Sequence, residues 1–212
     1  MSYCIDVNLL AKILCASPES FSLGLKDLLH KNDLRYSKLS DEERDLAILN
    51  LLQVLQRDMP VSGESRLPDW ERGWGEILEE FERTGSSSAL VPQYYRREIQ
   101  PVYFLNDFYR PKEAGFEIRF FEVLRHWVAE TFLSGVSSIY EFGCGPAHNL
   151  YALAKLYPDK KFFGLDWAIN SQAIIRIMRE RLNVRIEGAR FDLFHPDTNY
   201  KLNPGSGVIT FG

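Results

Sequence analysis

The feature that most constrains this fold is a turn in the second half of the chain, Glu141-Phe142-Gly143-Cys144-Gly145-Pro146-Ala147-His148-Asn149. The run before it, residues 137–142 (SSIYEF), reads as a strand, and residues 146–157 carry a helical pattern. Glycines at 143 and 145 allow a tight strand-to-helix turn and let backbone amides approach a ligand that a Cβ would keep away. The same grammar then repeats. A strand at 161–165 (KFFGL) precedes a helix at 170–182, with Ala173, Ile174, Ile177 and Met178 inward and Asn170 or Ser171 as its cap. A third strand follows at 184–193 and a fourth at 207–211 (GVITF). Strands alternating with helices imply parallel βαβ units with right-handed crossovers, which take their ligands at the carboxyl ends of the strands.

Three successive strand ends carry an acid: Glu141, Asp166 and Asp192. Asp166 is placed to accept hydrogen bonds from both hydroxyls of a ribose and to repel a 2′-phosphate. Asp192 is placed to accept from an exocyclic amine. With acids around it and no basic group at hand, the ligand is not expected to be a polyphosphate. A dinucleotide fingerprint needs a third glycine where His148 stands, which disfavours an NAD-dependent oxidoreductase. Each residue also has a plainer reading. Asp166 can serve as a helix-start carboxylate, Asp192 as a turn former before His195-Pro196, and Glu141 as a buried acid satisfied by amides. Trp167 can pack in the core, His148 can border an acceptor or simply start a helix, and Cys144 reads as a small turn residue rather than a nucleophile.

On the pieces EFGCGPAHN (141–149), GLDWA (164–168), RFDLF (190–194) and GVITFG (207–212), the sequence resembles the class I S-adenosylmethionine-dependent methyltransferases. The resemblance implies a Rossmann-like fold with S-adenosyl-L-methionine as cofactor. It implies that Glu141, Gly143, Cys144 and Gly145 shape the pocket for the methionine moiety. Asp166 would hold the ribose, Trp167 pack on adenine, and Asp192 with the backbone of Leu193 recognise the adenine edge. Ala147 stands where the family commonly has another glycine. The chemistry implied is in-line displacement at a sulfonium methyl group, with alignment of the acceptor as the enzyme's main contribution. No catalytic base is assigned.

Before residue 135 the pattern is mainly helical, at 3–15 and 19–31, from a Ser40–Glu43 capping box to about Asp58 with Pro60 as its stop, at 69–84, and at 113–134. Residues 60–68 read as a loop. The stripe Trp70, Trp74, Ile77, Leu78 and Phe81 marks a half-buried helix ended by Gly85. An aromatic passage from Tyr94-Tyr95-Arg96-Arg97 to Tyr109 reads as loop and short extended pieces. Segments in this position often fold over the cofactor in the resembling family, so Tyr103, Tyr109 and Arg110 are candidates there, with Arg110 meeting the cofactor carboxylate. Aromatics docking a helix onto a sheet explain the same residues. The expected organisation is a helical region at 1–112, serving as lid, acceptor part or dimerisation unit, followed by an α/β, Rossmann-like domain of about four parallel strands at 113–212.

Charge and composition limit the partners. A net charge of −4, from 25 basic and 29 acidic residues, offers no basic stripe for nucleic acid. No apolar run is long enough to span a membrane and no basic leader precedes the first apolar stretch. Three scattered cysteines argue against a metal cluster or disulfide framework and set a reducing cytoplasm as the expectation. A small-molecule acceptor is therefore expected, with a homodimer allowed. Because the fourth strand falls at the terminus where the family uses seven, the sequence reads as a truncated methyltransferase whose catalytic domain is incomplete. The alternative is a cofactor-binding or protein-interaction module without catalysis.

Overall fold

The computed structural model describes residues 2–57, 63–96 and 98–211. Along them run β1 (Ser2–Cys4), α1 (Val7–Ile13), α2 (Leu23–Lys31), β2 (Arg35–Lys38), α3 (Asp41–Leu55), α4 (Leu67–Thr84), β3 (Val102–Phe104), β4 (Asp107–Pro111), α5 (Phe116–Phe132), β5 (Ser138–Phe142), α6 (His148–Leu156), β6 (Lys161–Asp166), α7 (Ile169–Leu182), β7 (Ile186–Arg190) and β8 (Gly207–Ile209). The expected division at residue 112 is replaced by an interleaved one. One unit takes Met1–Val61 and Gln93–Trp127, the other Ser62–Pro92 and Val128–Gly212. Asp58, Pro60, Arg97 and Gly212, which the sequence reading used, lie outside the described residues. Among the described residues no helix is long and apolar enough to cross a membrane, and no group of His, Cys, Asp or Glu could hold a metal ion.

The second unit is built on a parallel sheet in the order β7-β6-β5-β8. All three pairings are parallel, with Ile139 opposite Phe162, Phe162 opposite Ile186, and Tyr140 opposite Val208. The four expected strands are therefore present in a Rossmann-like order, and β8 lies beside β5 at the edge of the sheet. Helices supply the other half of the core: Leu150 and Leu153 from α6, Ile174, Ile175 and Met178 from α7, and Ile77 and Phe81 from α4 are all buried with Ile139 and Phe162. Burying a side chain the size of Phe81 contributes roughly 2–3 kcal/mol.

Helix α4 belongs to this unit because its apolar stripe and its polar ends both find partners here. Gly85, in the left-handed conformation at φ 62°, stops it as expected. Arg181 of α7 donates to the Phe81 and Glu82 carbonyls at 3.1 and 2.6 Å. At the other end, Glu71 accepts from the Ile169 and Asn170 amides at 2.5 and 3.1 Å, so a distant carboxylate caps α7. The expected cap does not form. Asn170 turns its side-chain amide to the Glu71 carbonyl at 2.8 Å, and Ala168 occupies the N-cap position without a side-chain bond.

The first unit departs from the mainly helical expectation by containing an antiparallel sheet, β1-β2-β4-β3. Tyr36 of β2 lies at its centre, its ring 5.6 Å from Tyr3, 5.1 Å from Tyr109 and 6.3 Å from Phe116. The aromatic passage thus docks α5 onto this sheet, with Phe116 and Val123 buried beside Leu10, Leu25 and Leu34. Strands β3 and β4 form a two-residue hairpin through Leu105 and Asn106, both at positive φ. The Ser40–Glu43 capping box forms in full, and α3 ends at Leu55.

Candidate functional site

Strand order locates the site. From β5 the chain moves to β6 on one side and later reaches β8 on the other, so the sheet's order reverses at β5. Ligands of open α/β sheets bind outside the carboxyl ends at such a reversal. The residues leaving β5 there are Gly143 (φ 68°), Cys144 and Gly145 (φ 51°). Both glycines are in the left-handed region that an L side chain resists. Ala147 shares it at φ 56°, a conformation that glycine would adopt with less strain.

The two glycines face different surroundings. A Cβ on Gly143 would meet nothing within 4 Å, so that stretch of backbone is open to a ligand. A Cβ on Gly145 would lie 2.9 Å from the Trp74 ring, so there the missing side chain admits an indole from α4.

Asp166 ends β6 and joins it to the turn. Its Oδ2 accepts from the Gly145 amide at 2.8 Å and its Oδ1 from the Ala168 amide at 2.9 Å. The side chain is buried, and burial pushes its pKa up against the lowering effect of the two amides. Glu141 is buried in β5 and accepts from Asn149 Nδ2 of α6 at 2.8 Å. Cys144 is buried, and burial, with Glu141 and Asp166 adding repulsion, raises its thiol well above the usual range. A thiol held neutral in this way is a packing group, as the sequence suggested.

Asp192 lies two residues beyond β7 and closes a turn. Its Oδ1 accepts from the Phe194 amide at 2.8 Å, which lowers its pKa, and His195 Nδ1 stands 3.4 Å from Oδ2. The turn-forming reading of Asp192 is thus realised, and Leu193 beside it is exposed.

Trp167, which follows β6, and Phe194, which follows β7, line a cleft of about 230 Å³ together with Gly63, Arg66 and Trp70. The Trp167 and Phe194 rings are 5.3 Å apart, and Trp70 stacks on Trp74 at 5.5 Å. Arg66, on the wall of this cleft, is paired with Asp69 at 3.0 Å. Arg190 is also at hand, donating to the Trp167 carbonyl at 3.2 Å. The structure brings Glu141, Gly143, Cys144, Gly145, Asp166 and Trp167 together at the ends of β5 and β6, with Asp192 and Leu193 just past the end of β7. Tyr109 and Arg110 belong to the first unit, where Arg110 donates to Glu43 at 2.9 Å and Tyr109 packs on Tyr36.

Sequence reasoning missed α4's share of the site. Trp70 and Trp74 read as core, and their spacing alone carries no sign that they would meet a glycine turn 71 residues on from Trp74.

No protein-family model matches the chain, and no curated protein does. Among solved structures, the chain is similar to coclaurine N-methyltransferase bound to N-methylheliamine and SAH, at 15% identity over 76% of this chain and 48% of that one, TM-score 0.38. It is also similar to the apo form of the S-adenosylmethionine-dependent methyltransferase SibL, at 16% identity over 98% and 60%, TM-score 0.31. A third is TehB from Haemophilus influenzae, at 23% identity over 41% and 30%, TM-score 0.29. The chain thus spans less than two thirds of each of these structures. At these scores the architecture rests on this chain's own strand order and register.

Proposed function

We propose that the second unit binds S-adenosyl-L-methionine at the carboxyl ends of β5, β6 and β7, and that the protein is a methyltransferase for a small-molecule acceptor. The observation that carries this reading is the junction of Asp166 with Gly145, which joins an acid to a glycine turn at the reversal point of the sheet. Each Asp166 oxygen accepts one backbone amide, and a carboxylate has further lone pairs able to accept from ribose hydroxyls. Trp167, Phe194 and Trp70 offer flat apolar faces to a purine ring. Glu141 and the Trp74 face favour positive charge near the turn, as a sulfonium requires. Gly143 leaves the backbone approach open. When bound, the cofactor supplies an electrophilic methyl group; these residues bind and orient it.

The acidic net charge supports a small acceptor over nucleic acid. The free thiols, Cys4 and Cys15 exposed and Cys144 buried, fit a reducing, cytoplasmic setting. Tyr109 and Arg110 are left out of the cofactor set because their side chains are engaged within the first unit.

A second reading, a cofactor-binding or interaction module without catalysis, is favoured by Trp74 lying over Gly145. Calorimetry with S-adenosylmethionine, its product S-adenosylhomocysteine and NAD tests the cofactor. Saturable one-to-one binding of the first two is expected, and no heat from either with folded protein would overturn the proposal. Transfer of an isotope-labelled methyl group to pooled small molecules separates the methyltransferase from the inert module.

A further inference from the structure

The cleft wall that precedes α4 carries a charged group to which the cofactor reading gives no role. Arg66 closes a short helical turn, Glu64–Arg66, and stands at the N-cap of α4 without a side-chain bond to that helix. Its Nε is buried and lies 3.0 Å from Asp69 Oδ2, while about a third of the side chain stays exposed. Asp69 Oδ1 in turn meets Arg72 at 2.7 Å, so one carboxylate is shared by two guanidiniums. Among the described residues Asp69 is the partner that the Arg66 side chain has. The terminal NH2 groups of Arg66 are therefore unspent, on the wall of a cleft whose other side chains are the rings of Trp70, Trp167 and Phe194.

We propose that Arg66, held by Asp69, donates to ring nitrogen N3 of the purine in this cleft and so fixes which way round the base lies; the inference rests on the cofactor reading above. Aromatic rings grip a flat heterocycle by its faces, a contact that does not sort one edge from another. A guanidinium has donors and no acceptor. In adenine the exocyclic amine donates and the ring nitrogens accept. N1 and N7 flank that amine, whereas N3 lies on the opposite edge, so a group made only of donors meets N3 and turns the amine away. Charge favours such a neutral acceptor over an anion. Arg66, Arg72 and Arg190 stand with Glu64, Asp69 and Asp192 on or beside the lining residues, His195 lying 3.4 Å from both Glu64 and Asp192, so the fixed charges there balance.

Calorimetry on the full chain with S-adenosylhomocysteine and its 3-deaza and 7-deaza analogues tests the inference. The native chain should bind the 3-deaza analogue about 10-fold more weakly than the parent, and the 7-deaza analogue within about 2-fold of it. Arg66→Met, with circular dichroism unchanged, should bind the parent about 10-fold more weakly and no longer tell it from the 3-deaza analogue. Asp69→Asn keeps Arg66 but frees it, and should lose part of that discrimination, which a loss of α4 stability alone would not produce. Equal binding of parent and 3-deaza analogue by the native chain, or a discrimination that survives Arg66→Met, would overturn the inference and leave the cofactor reading standing. Absence of S-adenosylhomocysteine binding by the folded native chain would overturn both.

Discussion

Helices α3 and α4 are similar in length and both rich in acids, yet one is bare and the other is built into a core. In α4 the apolar residues keep to one stripe and charge keeps to the rest, so Ile77 and Phe81 can be buried while Glu71 and the carbonyls of Phe81 and Glu82 bond to α7. In α3 the charge is confined to the first turn and leucines wrap most of the remaining surface. Segregated pattern gives a helix one neighbour and a defined seat; unsegregated pattern gives it none. Substitutions along the two helices should therefore have opposite signatures.

The largest contrast should come from Phe81→Ala in α4, fully buried, which is expected to cost about 3–5 kcal/mol by denaturant unfolding. Leu52→Ala in α3, at a half-exposed position, should cost little by the same measurement. Equal losses would erase the distinction between the helices. Next, Gly145→Ala adds a Cβ 2.9 Å from Trp74 at φ 51° and should cost about 2–4 kcal/mol, partly recovered by Trp74→Leu. Failure of that rescue would show that the turn, rather than α4, limits the site. Glu71→Ala removes the cap of α7 and should cost about 1 kcal/mol, with no change in the first unit's hydrogen-exchange protection.

How legible these features were depended on punctuation. The parallel sheet could be read because Gly143 and Gly145 mark the end of β5 and because β5 and β6 are apolar runs between helical patterns. The antiparallel sheet could not. Its strands are three to five residues long, β1 merges with the apolar residues of α1, and β2 (RYSK) is polar at alternate positions. The hairpin between β3 and β4 turns at Leu105-Asn106, a pair without the glycine that usually announces such a turn. The transfer of α4 to the second unit was hidden because an amphipathic stripe shows that a face is buried without showing against what. Asp166 and Glu141 were singled out by strand-end position, and the structure keeps them at those ends, whereas Trp70 and Trp74 of α4 and Arg66 just before it come from a distant segment with no motif of its own. Asp192 was singled out in the same way, and its bond to the Phe194 amide shows that a turn-forming role and a strand-end position coincide.

The smallest effects are electrostatic and also differ by unit. Asp33, in the first unit, is held down to about 2, chiefly by its hydrogen bond with Arg35. A carboxyl lowered on folding stabilises the protein above its unfolded pKa, and that contribution is lost as pH falls toward 2. Asp166, raised by burial, works in the opposite sense: the folded state binds its proton more readily than the unfolded chain, so its contribution becomes more favourable as pH falls through its raised pKa. Between pH 6 and 2, Asp33→Asn should flatten the acid loss of stability and Asp166→Asn should steepen it. Shifts of the same sign would contradict the assigned environments.

The central claim is that the ends of β5 and β6 form a cofactor site organised by Asp166. Titration of the folded chain with S-adenosylhomocysteine, beside Asp166→Ala, tests it most directly. The account predicts saturable binding by the native chain that weakens at least about 10-fold in the variant and falls as pH is lowered through the raised pKa of Asp166. Absence of binding by the folded native chain, or equal binding by the variant, would contradict it.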